Sequence, residues 1–442
     1  KIWFKKNLFL MKSFSVKKFL LVSIILGSLF LGYRFFLETK PQKNLISQLE
    51  FSISAGVVPH HLLAKEIIEN FFNYISSKNK PETIVLLAPD HFKTGTILGN
   101  SFITLDPETK ELLGMKVDSL LIKSLSFHND LVFSNWSIKL DHGITNLIPF
   151  LKKYFSESKI VPFILPFNLS QEKVDQFVSS LNSFAPTSTL VLASVDFSHH
   201  LPASAAQFHD VKSIRTLINF QKGDFENLDV DSWQALYIAR AFAKLRNKES
   251  PKIIEYANSN DFVKNQEMEE TTSYFSVIFE KDNQDKQEEI KELKGKTILF
   301  VGDIMLDRGV EDLMAKNNVF YPFKKIKYFL KGVDLIVGNL EGPIVKNPPH
   351  FSRESLRFAF SPDVIKGLSF ANFNILSLAN NHTFDVGKEG FEETKNFLAK
   401  ANINFVGHPI KCDEDFLFEK EDIIFLAFNK TFPSTCSDEE IV

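Results

Sequence analysis

The sequence predicts an α/β fold in which two α/β domains follow an N-terminal transmembrane helix. Three observations support this prediction. From about residue 51, apolar strand-like runs alternate with amphipathic helix-like segments; a charged stretch interrupts this alternation at 281–296; and an uncharged apolar run lies near the N-terminus. Alternating strands and helices favour a largely parallel sheet, and 442 residues are more than one ordinary domain contains.

The N-terminal region has the features of a membrane anchor. Residues 19–33 (FLLVSIILGSLFLGY) hold no charge, and three lysines precede them. A basic flank before an apolar run is typical of an anchor or a signal peptide. We therefore expect a cytoplasmic basic segment at 1–18, a transmembrane anchor or signal at 19–37, and a single-pass cell-membrane protein whose bulk lies outside the cytoplasm. A buried helix is the remaining alternative.

The first α/β domain is expected at 51–280. Its apolar runs predict buried strands, and the segments between them have the spacing of amphipathic helices. The predicted strands are Ile84–Ala88, Ile160–Leu165, Leu190–Ser194 and Tyr274–Phe279, and the predicted helices are His61–Tyr74, Ile144–Phe155, Gln171–Phe184 and Trp233–Leu245.

A second α/β domain is expected at 297–442, after a charged linker at 281–296. The linker contains almost no apolar residues, which indicates a solvated segment. The predicted strands of the second domain are Thr297–Val301, Leu335–Val337, Ile375–Leu378, Ile403–Val406 and Ile423–Phe428.

Charge and cysteine content exclude two classes of function. The formal net charge is −3 and the charges are mixed, so no basic surface indicates nucleic-acid binding. The chain has two cysteines and no C-x-x-C motif, which argues against a thiolate zinc site. We therefore expect no nucleic-acid partner.

Polar side chains follow three predicted strands of the second domain. The segments are GDIML at 302–306, GNLEGP at 338–343 and SLANNHTFDVGKEG at 377–390. Ligands of open α/β sheets bind at the carboxyl ends of the strands, and oxygen and imidazole donors suit a divalent metal. Helix capping by Asp and Asn is the alternative for each residue taken alone.

These three segments resemble the CapA/PgsA family of capsule and poly-γ-glutamate synthesis proteins, which is similar in fold to calcineurin-like metallophosphatases. The resemblance covers residues 297 to about 410. The later His-containing motifs of the family are absent, so we expect this domain to be incomplete. The resemblance implies a catalytic site lined by Asp303, Asn339, Glu341, Asn381, His382 and Arg308, with Asp303, Glu341 and His382 as metal ligands.

The first domain carries a second, histidine-rich constellation. The matching pieces are AGVVPH at 55–60, LAPDH at 87–91, DHGI at 141–144, SVDFSH at 194–199 and YANS at 256–259. They resemble the Memo-like proteins, also named AmmeMemoRadiSam system protein B, which are similar in fold to class III extradiol dioxygenases. The resemblance implies a metal pocket with His60 and His91 as ligands and with Asp196 and His199 nearby. Family members supply a cysteine ligand before a late helix, whereas residues 231–238 contain no cysteine.

Three functions remain open from the sequence. The first is a membrane-anchored protein of capsule or poly-γ-glutamate biosynthesis that acts on an anionic cell-surface polymer or a phosphorylated intermediate. The second is a metal-dependent oxidoreductase centred on the Memo-like domain, and the third is a non-catalytic envelope binding protein. The expected cofactor is a divalent metal, with manganese, iron and zinc as candidates.

Overall fold

Strands and helices alternate along the part of the chain that the computed structural model describes, which is residues 51–220, 222–263, 268–281, 295–412, 415–420 and 422–431. The strands are β1 Ile53–Val58, β2 Thr83–Pro89, β3 Phe102–Thr104, β4 Glu111–Leu112, β5 Met115–Lys116, β6 Leu131–Phe133, β7 Lys159–Leu165, β8 Thr189–Ser194, β9 Phe197–Leu201, β10 Ser250–Asn258, β11 Thr271–Glu280, β12 Ile298–Ile304, β13 Leu335–Leu340, β14 Ile375–Ser377, β15 Asn404–Val406, β16 Leu417–Lys420 and β17 Ile423–Leu426.

The α-helices lie mostly between these strands. They are α1 Lys65–Ser76, α2 Thr94–Ile97, α3 Ser119–Ser126, α4 Asn135–Leu140, α5 His142–Thr145, α6 Ile148–Tyr154, α7 Gln171–Phe184, α8 Ala203–Asn219, α9 Trp233–Leu245, α10 Arg308–Lys316, α11 Tyr321–Lys324, α12 Lys327–Leu330, α13 Val364–Phe370 and α14 Gly387–Lys400.

One part of the predicted fold class is corrected. Within the described ranges, no helix is both long enough and apolar enough to cross a membrane. The prediction of a transmembrane helix before the two α/β domains, and the single-pass membrane location derived from it, therefore lack support. The segments on which these predictions rested, 1–18 and 19–37, lie outside the described residues, as do residues 282–294 of the expected linker.

The first half of the chain forms a mixed sheet. Among the described residues it has nine strands in the order β10-β11-β1-β8-β2-β7-β3-β6, and β9 pairs with β11. The central strands β1, β8, β2 and β7 run parallel to one another. All residues of β2 and β8 are buried, as expected for parallel strands that are covered on both faces.

Helices cover this sheet because their apolar residues recur at helical spacing. In α7, Ser170 caps the N-terminus by accepting a hydrogen bond from Lys173 N, and Val174, Phe177 and Leu181 face the core. In α9, Ser232 plays the same capping role by accepting from Ala235 N. Both helices begin and end where the sequence predicts.

The second half forms a smaller parallel sheet. Its described strands have the order β12-β13-β14-β15. The predicted strand Ile423–Phe428 does not join this sheet in the described residues. Its first four residues form β17, which pairs antiparallel with β16 as a two-stranded hairpin. The pair packs through Phe425 on a small apolar cluster with Val337 and Ile375.

Helix α8 connects the two halves through buried polar contacts. His209, Lys212 and Arg215 lie three residues apart, and therefore on one side of the helix. Their side chains contact the second half: His209 Nε2 lies 3.1 Å from Phe329 O, Lys212 Nζ donates to Val333 O at 2.9 Å, and Arg215 pairs with the Asp334 carboxylate. The two halves are thus joined by side chains withdrawn from water.

Candidate functional site

Three neighbouring strands bring the first group of polar residues together. The parallel strands β1, β2 and β8 end two residues before His60, His91 and Asp196. Because β8 lies between β1 and β2 in the sheet, these ends meet at one edge. The apolar strands thus fix the positions of the polar residues that follow them.

His60 and His91 face each other through their ring nitrogens. The two Nε2 atoms are 3.1 Å apart. His91 Nδ1 lies 2.8 Å from Asp141 Oδ1, so its proton is held by a carboxylate. His60 Nδ1 lies 3.2 Å from Ser194 Oγ, whose own hydrogen is donated to the Gly143 carbonyl at 2.7 Å.

This hydrogen bonding defines which ring nitrogens carry lone pairs. Ser194 Oγ has used its hydrogen, so it accepts from His60 Nδ1, and His91 Nδ1 donates to Asp141. In the neutral rings both Nε2 atoms then carry lone pairs that point toward each other. Burial lowers the pKa of His60 well below its ordinary value, which favours the neutral ring. Facing lone pairs repel unless a cation or a proton lies between them.

Two buried carboxylates complete this group. Asp196 Oδ2 lies 3.5 Å from His60 Nε2, and Asp231 Oδ2 lies 3.6 Å from the same atom. Asp231 Oδ2 also accepts a hydrogen bond from Asp196 N at 3.1 Å. The other oxygen, Asp231 Oδ1, is buried and has no hydrogen-bond partner among the described residues.

Burial raises the pKa of both carboxyl groups, and for Asp231 the nearby Asp196 charge raises it further. A buried carboxylate oxygen without a hydrogen-bond partner is costly, and a bound cation removes that cost. Ligands about 2.1 Å from a metal lie roughly 3 to 3.5 Å from one another. The separations of 3.1, 3.5 and 3.6 Å between His60 Nε2 and its neighbours His91, Asp196 and Asp231 therefore fit a divalent ion beside His60, and the donor set of imidazole and carboxylate suits such an ion.

His142 lies beside this group. Its ring centroid is 3.7 Å from that of His91 and 5.4 Å from that of His60. Burial lowers the pKa of His142, and the nearby His91 lowers it further. Two sets of side chains have their ligand atoms within 4.8 Å of one another: His60, His91 and His142, and His60, Asp196 and Asp231.

The second group of polar residues lies at the strand ends of the smaller sheet. Asp303 on β12 is in register with Asn339 on β13, and Asn339 is in register with Ser377 on β14. The Asn339 side-chain amide donates to Asp303 Oδ1 at 2.8 Å and to Glu341 Oε2 at 2.6 Å. Burial, and next the charge of Asp303, raises the pKa of Glu341.

The loop after β14 adds His382 to this group. His382 Nδ1 lies 2.9 Å from Asp385 Oδ2, and its Nε2 lies 3.7 Å from Glu341 Oε1. The buried Asn380 orders the loop, because its Oδ1 accepts from His382 N at 3.0 Å and its Nδ2 donates to Asn339 Oδ1 at 2.9 Å. The His382 ring thus faces the carboxylates.

Arg308 and Asn381 have fewer contacts with this second group of polar residues. The Arg308 guanidinium lies 4.6 Å from the ring centre of Phe358, and that ring lies 4.5 Å from the His382 ring. Arg308 also donates to the Ser355 carbonyl. Asn381 is half-buried beside His382.

The structure therefore gathers some predicted residues and adds others. His60 lies close to both His91 and Asp196, whereas His91 and Asp196 fall in different compact sets. His199 lies on β9, paired with Thr272 of β11, and belongs to neither set. His142 and Asp231 belong to these sets, although the sequence interpretation did not name them as ligands. The signal for His142 was its place in the DHGI motif; Asp231 lay in the segment noted only for its missing cysteine.

Comparison with known proteins agrees with this arrangement. The family model of the Memo-like proteins matches residues 35–278. The chain belongs to the Memo-like protein family. Residues 297–439 match the model of the bacterial capsule synthesis protein PGA_cap, so the Memo-like half is fused to a CapA-like half. Both resemblances inferred from the sequence are confirmed.

Individual relatives match one half each. A MEMO1 family protein of Caldivirga maquilingensis is 22% identical over 268 residues, which cover 55% of this chain and 89% of that protein. The capsule biosynthesis protein CapA of Bacillus anthracis is 30% identical over 114 residues, 25% of this chain and 28% of its own length. The PGA biosynthesis protein CapA of Bacillus subtilis is 33% identical over 110 residues, 24% of this chain and 29% of its own length. The chain thus spans less than a third of these two CapA relatives.

Proposed function

We propose that the chain is a metal-dependent protein of capsule or poly-γ-glutamate biosynthesis, with its metal centre in the Memo-like domain at 51–280. The observation that carries this proposal is the 3.1 Å approach of His60 Nε2 and His91 Nε2. His60, which both compact sets share, would hold the ion with His91 from one set and Asp196 and Asp231 from the other, which requires the two sets to close around it. Manganese, iron and zinc are the candidates. A bound divalent ion polarises a substrate oxygen and stabilises negative charge that develops there.

The surrounding residues position the ligands. Asp141 accepts from both His91 Nδ1 and His91 N, which fixes the ring and increases its basicity. Ser194 Oγ accepts from His60 Nδ1 and so orients the His60 ring. The His142 ring is tilted against that of His91, with the centroids 3.7 Å apart, and burial lowers the pKa of His142, which favours its neutral form.

The Asp231 carboxylate indicates which metal ion, and therefore which kind of reaction, the centre supports. Asp231 lies in the segment where Memo-like proteins supply a cysteine, and it presents oxygen in place of sulfur. Oxygen ligands favour harder ions such as Mn²⁺ or Fe²⁺ over Cu⁺. We therefore favour polarisation of an oxygen-bearing substrate over copper redox chemistry.

The metal content of the intact chain tests this proposal. We would purify the wild-type protein, His91→Ala, and His128→Ala, an exposed histidine outside the site, as a matched control. Mass spectrometry should find stoichiometric metal in the wild type and in the control, and little in His91→Ala. Empty wild-type protein after reconstitution with Mn²⁺, Fe²⁺ and Zn²⁺, or full occupancy in His91→Ala, would contradict the proposal.

A second candidate function concerns the CapA-like domain at 297–442. We propose that Asp303, Asn339, Glu341, Asn381 and His382, with Arg308, bind an anionic polymer or a phosphorylated intermediate, directly or through a metal held by Asp303, Glu341 and His382. The observation that favours this function is that the Asn339 side-chain amide donates hydrogen bonds to both Asp303 and Glu341 at the ends of two parallel strands.

Polymer binding tests the second function separately from the first. Intact wild-type chain would be titrated with poly-γ-glutamate in the presence of Mn²⁺. Asn339→Ala should weaken binding, because it removes the amide that spaces the two carboxylates, whereas Asn317→Ala on the exposed end of α10 should not. Equal binding by both variants would exclude this site, and the metal content of the Memo-like site would be unaffected.

A further inference from the structure

A cavity of about 250 Å³ lies at the junction of the two halves. Its lining includes Lys212 from α8, the segment 330–334 that leads into β13, and residues that flank α13 and the end of α14. A cavity that holds one water molecule needs only ~15 Å³, so this cavity has room for a small molecule. It is separate from both groups of polar residues described above.

Lys212 is the most deeply buried of the charged residues that line this cavity, which also include Lys331 and Asp334. Lys212 is 4% exposed. Its Nζ donates to Asn227 O at 3.3 Å and to Val333 O at 2.9 Å, both neutral carbonyl oxygens. An ammonium group has three hydrogens, so one remains. Burial lowers the pKa of Lys212, while the charges of Asp334 and Asp224 act in the opposite direction.

The nearest carboxylate does not serve as that counter-ion. Asp334 lines the cavity, but its oxygens accept from Arg215, and Asp334 Oδ2 also accepts from Thr297 N at 2.7 Å and Thr297 Oγ1 at 2.9 Å. No carboxylate in the described ranges forms an ion pair with Lys212 Nζ within 4.0 Å. The positive charge of Lys212 is therefore not neutralised by direct contact.

Amide donors lie in the same wall. Asn374 uses its Oδ1 to accept from Ile336 N at 2.7 Å, so its NH₂ group is the part left for other partners. Asn372 and Asn402 also line the cavity. One buried cation together with several amide groups makes a surface that matches negatively charged oxygen atoms.

We propose that the junction cavity binds a small oxyanion, the phosphate or carboxylate group of a small molecule, through Lys212 and the neighbouring asparagine amides. The ligand supplies the counter-charge that Lys212 lacks and fills the third hydrogen bond of its ammonium group. Val333, Asp334 and Asn374 precede β13 and β14, so the cavity lies at the opposite end of these strands from the CapA-like site at Asn339.

Calorimetric titration of the intact chain with inorganic phosphate, and separately with L-glutamate, tests this site at constant ionic strength. Phosphate binding alone identifies a phosphate site, and glutamate binding alone a carboxylate site. A charge-assisted hydrogen bond contributes about 1.5–3 kcal/mol, so Lys212→Met should weaken binding roughly 10- to 150-fold. Lys316→Met, which removes an exposed lysine of α10, should leave binding unchanged.

Two further variants keep the outcome interpretable. Ser369 lies exposed at the cavity wall, so Ser369→Asp should fold normally and still weaken anion binding by placing a like charge there. His91→Ala should bind the anion as the wild type does, which separates this site from the proposed metal centre. Absence of binding by both probes, or binding that neither Lys212→Met nor Ser369→Asp weakens, would overturn the proposal.

Discussion

Replacing Asp141 with asparagine tests how the proposed metal centre is held in position. Asp141 is 1% exposed. Its Oδ1 lies 2.8 Å from His91 Nδ1 and accepts from Gly143 N at 2.8 Å, while its Oδ2 accepts from His91 N at 3.2 Å. Three donors thus point at one carboxylate. An asparagine offers a single acceptor oxygen, so in Asp141→Asn at least one donor faces an NH₂ group.

The missing acceptor oxygen in Asp141→Asn should disturb the orientation of the His91 ring and lower its basicity. Removing a carboxylate behind a metal-binding histidine typically weakens metal affinity 10- to 100-fold, or about 1.4–2.7 kcal/mol. The side chain also caps α5, but asparagine caps as well as aspartate does, so helix formation should survive. We expect Asp141→Asn to bind Zn²⁺ 10- to 100-fold more weakly in a chelator-competition assay and to keep the wild-type circular dichroism spectrum.

An exposed ion pair provides the matched control. Asp363 pairs with Lys366 at 2.7 Å, and both side chains are more than half exposed. Asp363→Asn should therefore leave Zn²⁺ affinity unchanged. If Asp141→Asn binds Zn²⁺ as tightly as Asp363→Asn while both remain folded, Asp141 does not position a metal ligand.

Three further predictions concern stability. Arg215→Met leaves the buried Asp334 without its partner and should lower the free energy of unfolding in urea by about 3–5 kcal/mol; an unchanged midpoint would show that the junction is open to water. Burial raises the pKa of Asp210 from 3.8 to about 6, so its proton stabilises the fold fully below pH 3.8, and this contribution of about 3 kcal/mol is lost as pH rises through about 6. Asp210→Asn should flatten that part of the stability profile, and a profile parallel to that of the wild type would refute it. Gly332→Ala places a Cβ 2.8 Å from both Asp229 Cβ and His209 Nδ1 at a φ of +82°, and should cost about 1–3 kcal/mol in thermal unfolding, whereas no shift would mean that the segment relaxes freely.

The sequence predicted those strands and helices whose buried side chains are apolar. Strands β2 and β8 are uninterrupted apolar runs, and helices α7 and α9 pair a serine cap with regular apolar spacing. Helix α8 was missed for a physical reason: its buried residues include His209, Lys212 and Arg215, which face polar groups of the second half. A hydrophobic pattern does not reveal an interface built from cations.

The candidate site was predicted to a similar extent. His91 and Asp196 could be placed because each follows a predicted strand, whereas β1 before His60 was not predicted, and His60 was named as a ligand through the resemblance to the Memo-like proteins. His199 lies on a short strand, β9, and its pairing there depends on Thr272 of β11, 73 positions later in the chain. Asp231 precedes α9, far along the chain from the strand ends, and only the folded chain brings its carboxylate within 3.6 Å of His60.

X-ray absorption spectroscopy of the metal-loaded, intact chain tests the proposed metal centre most directly. We expect two imidazole ligands, from His60 and His91, together with oxygen ligands from Asp196 and Asp231, and no sulfur. We also expect Asp231→Cys to add one sulfur ligand, because its side chain enters the same position. A metal without imidazole ligands, or a spectrum of Asp231→Cys identical to that of the wild type, would contradict the proposed centre.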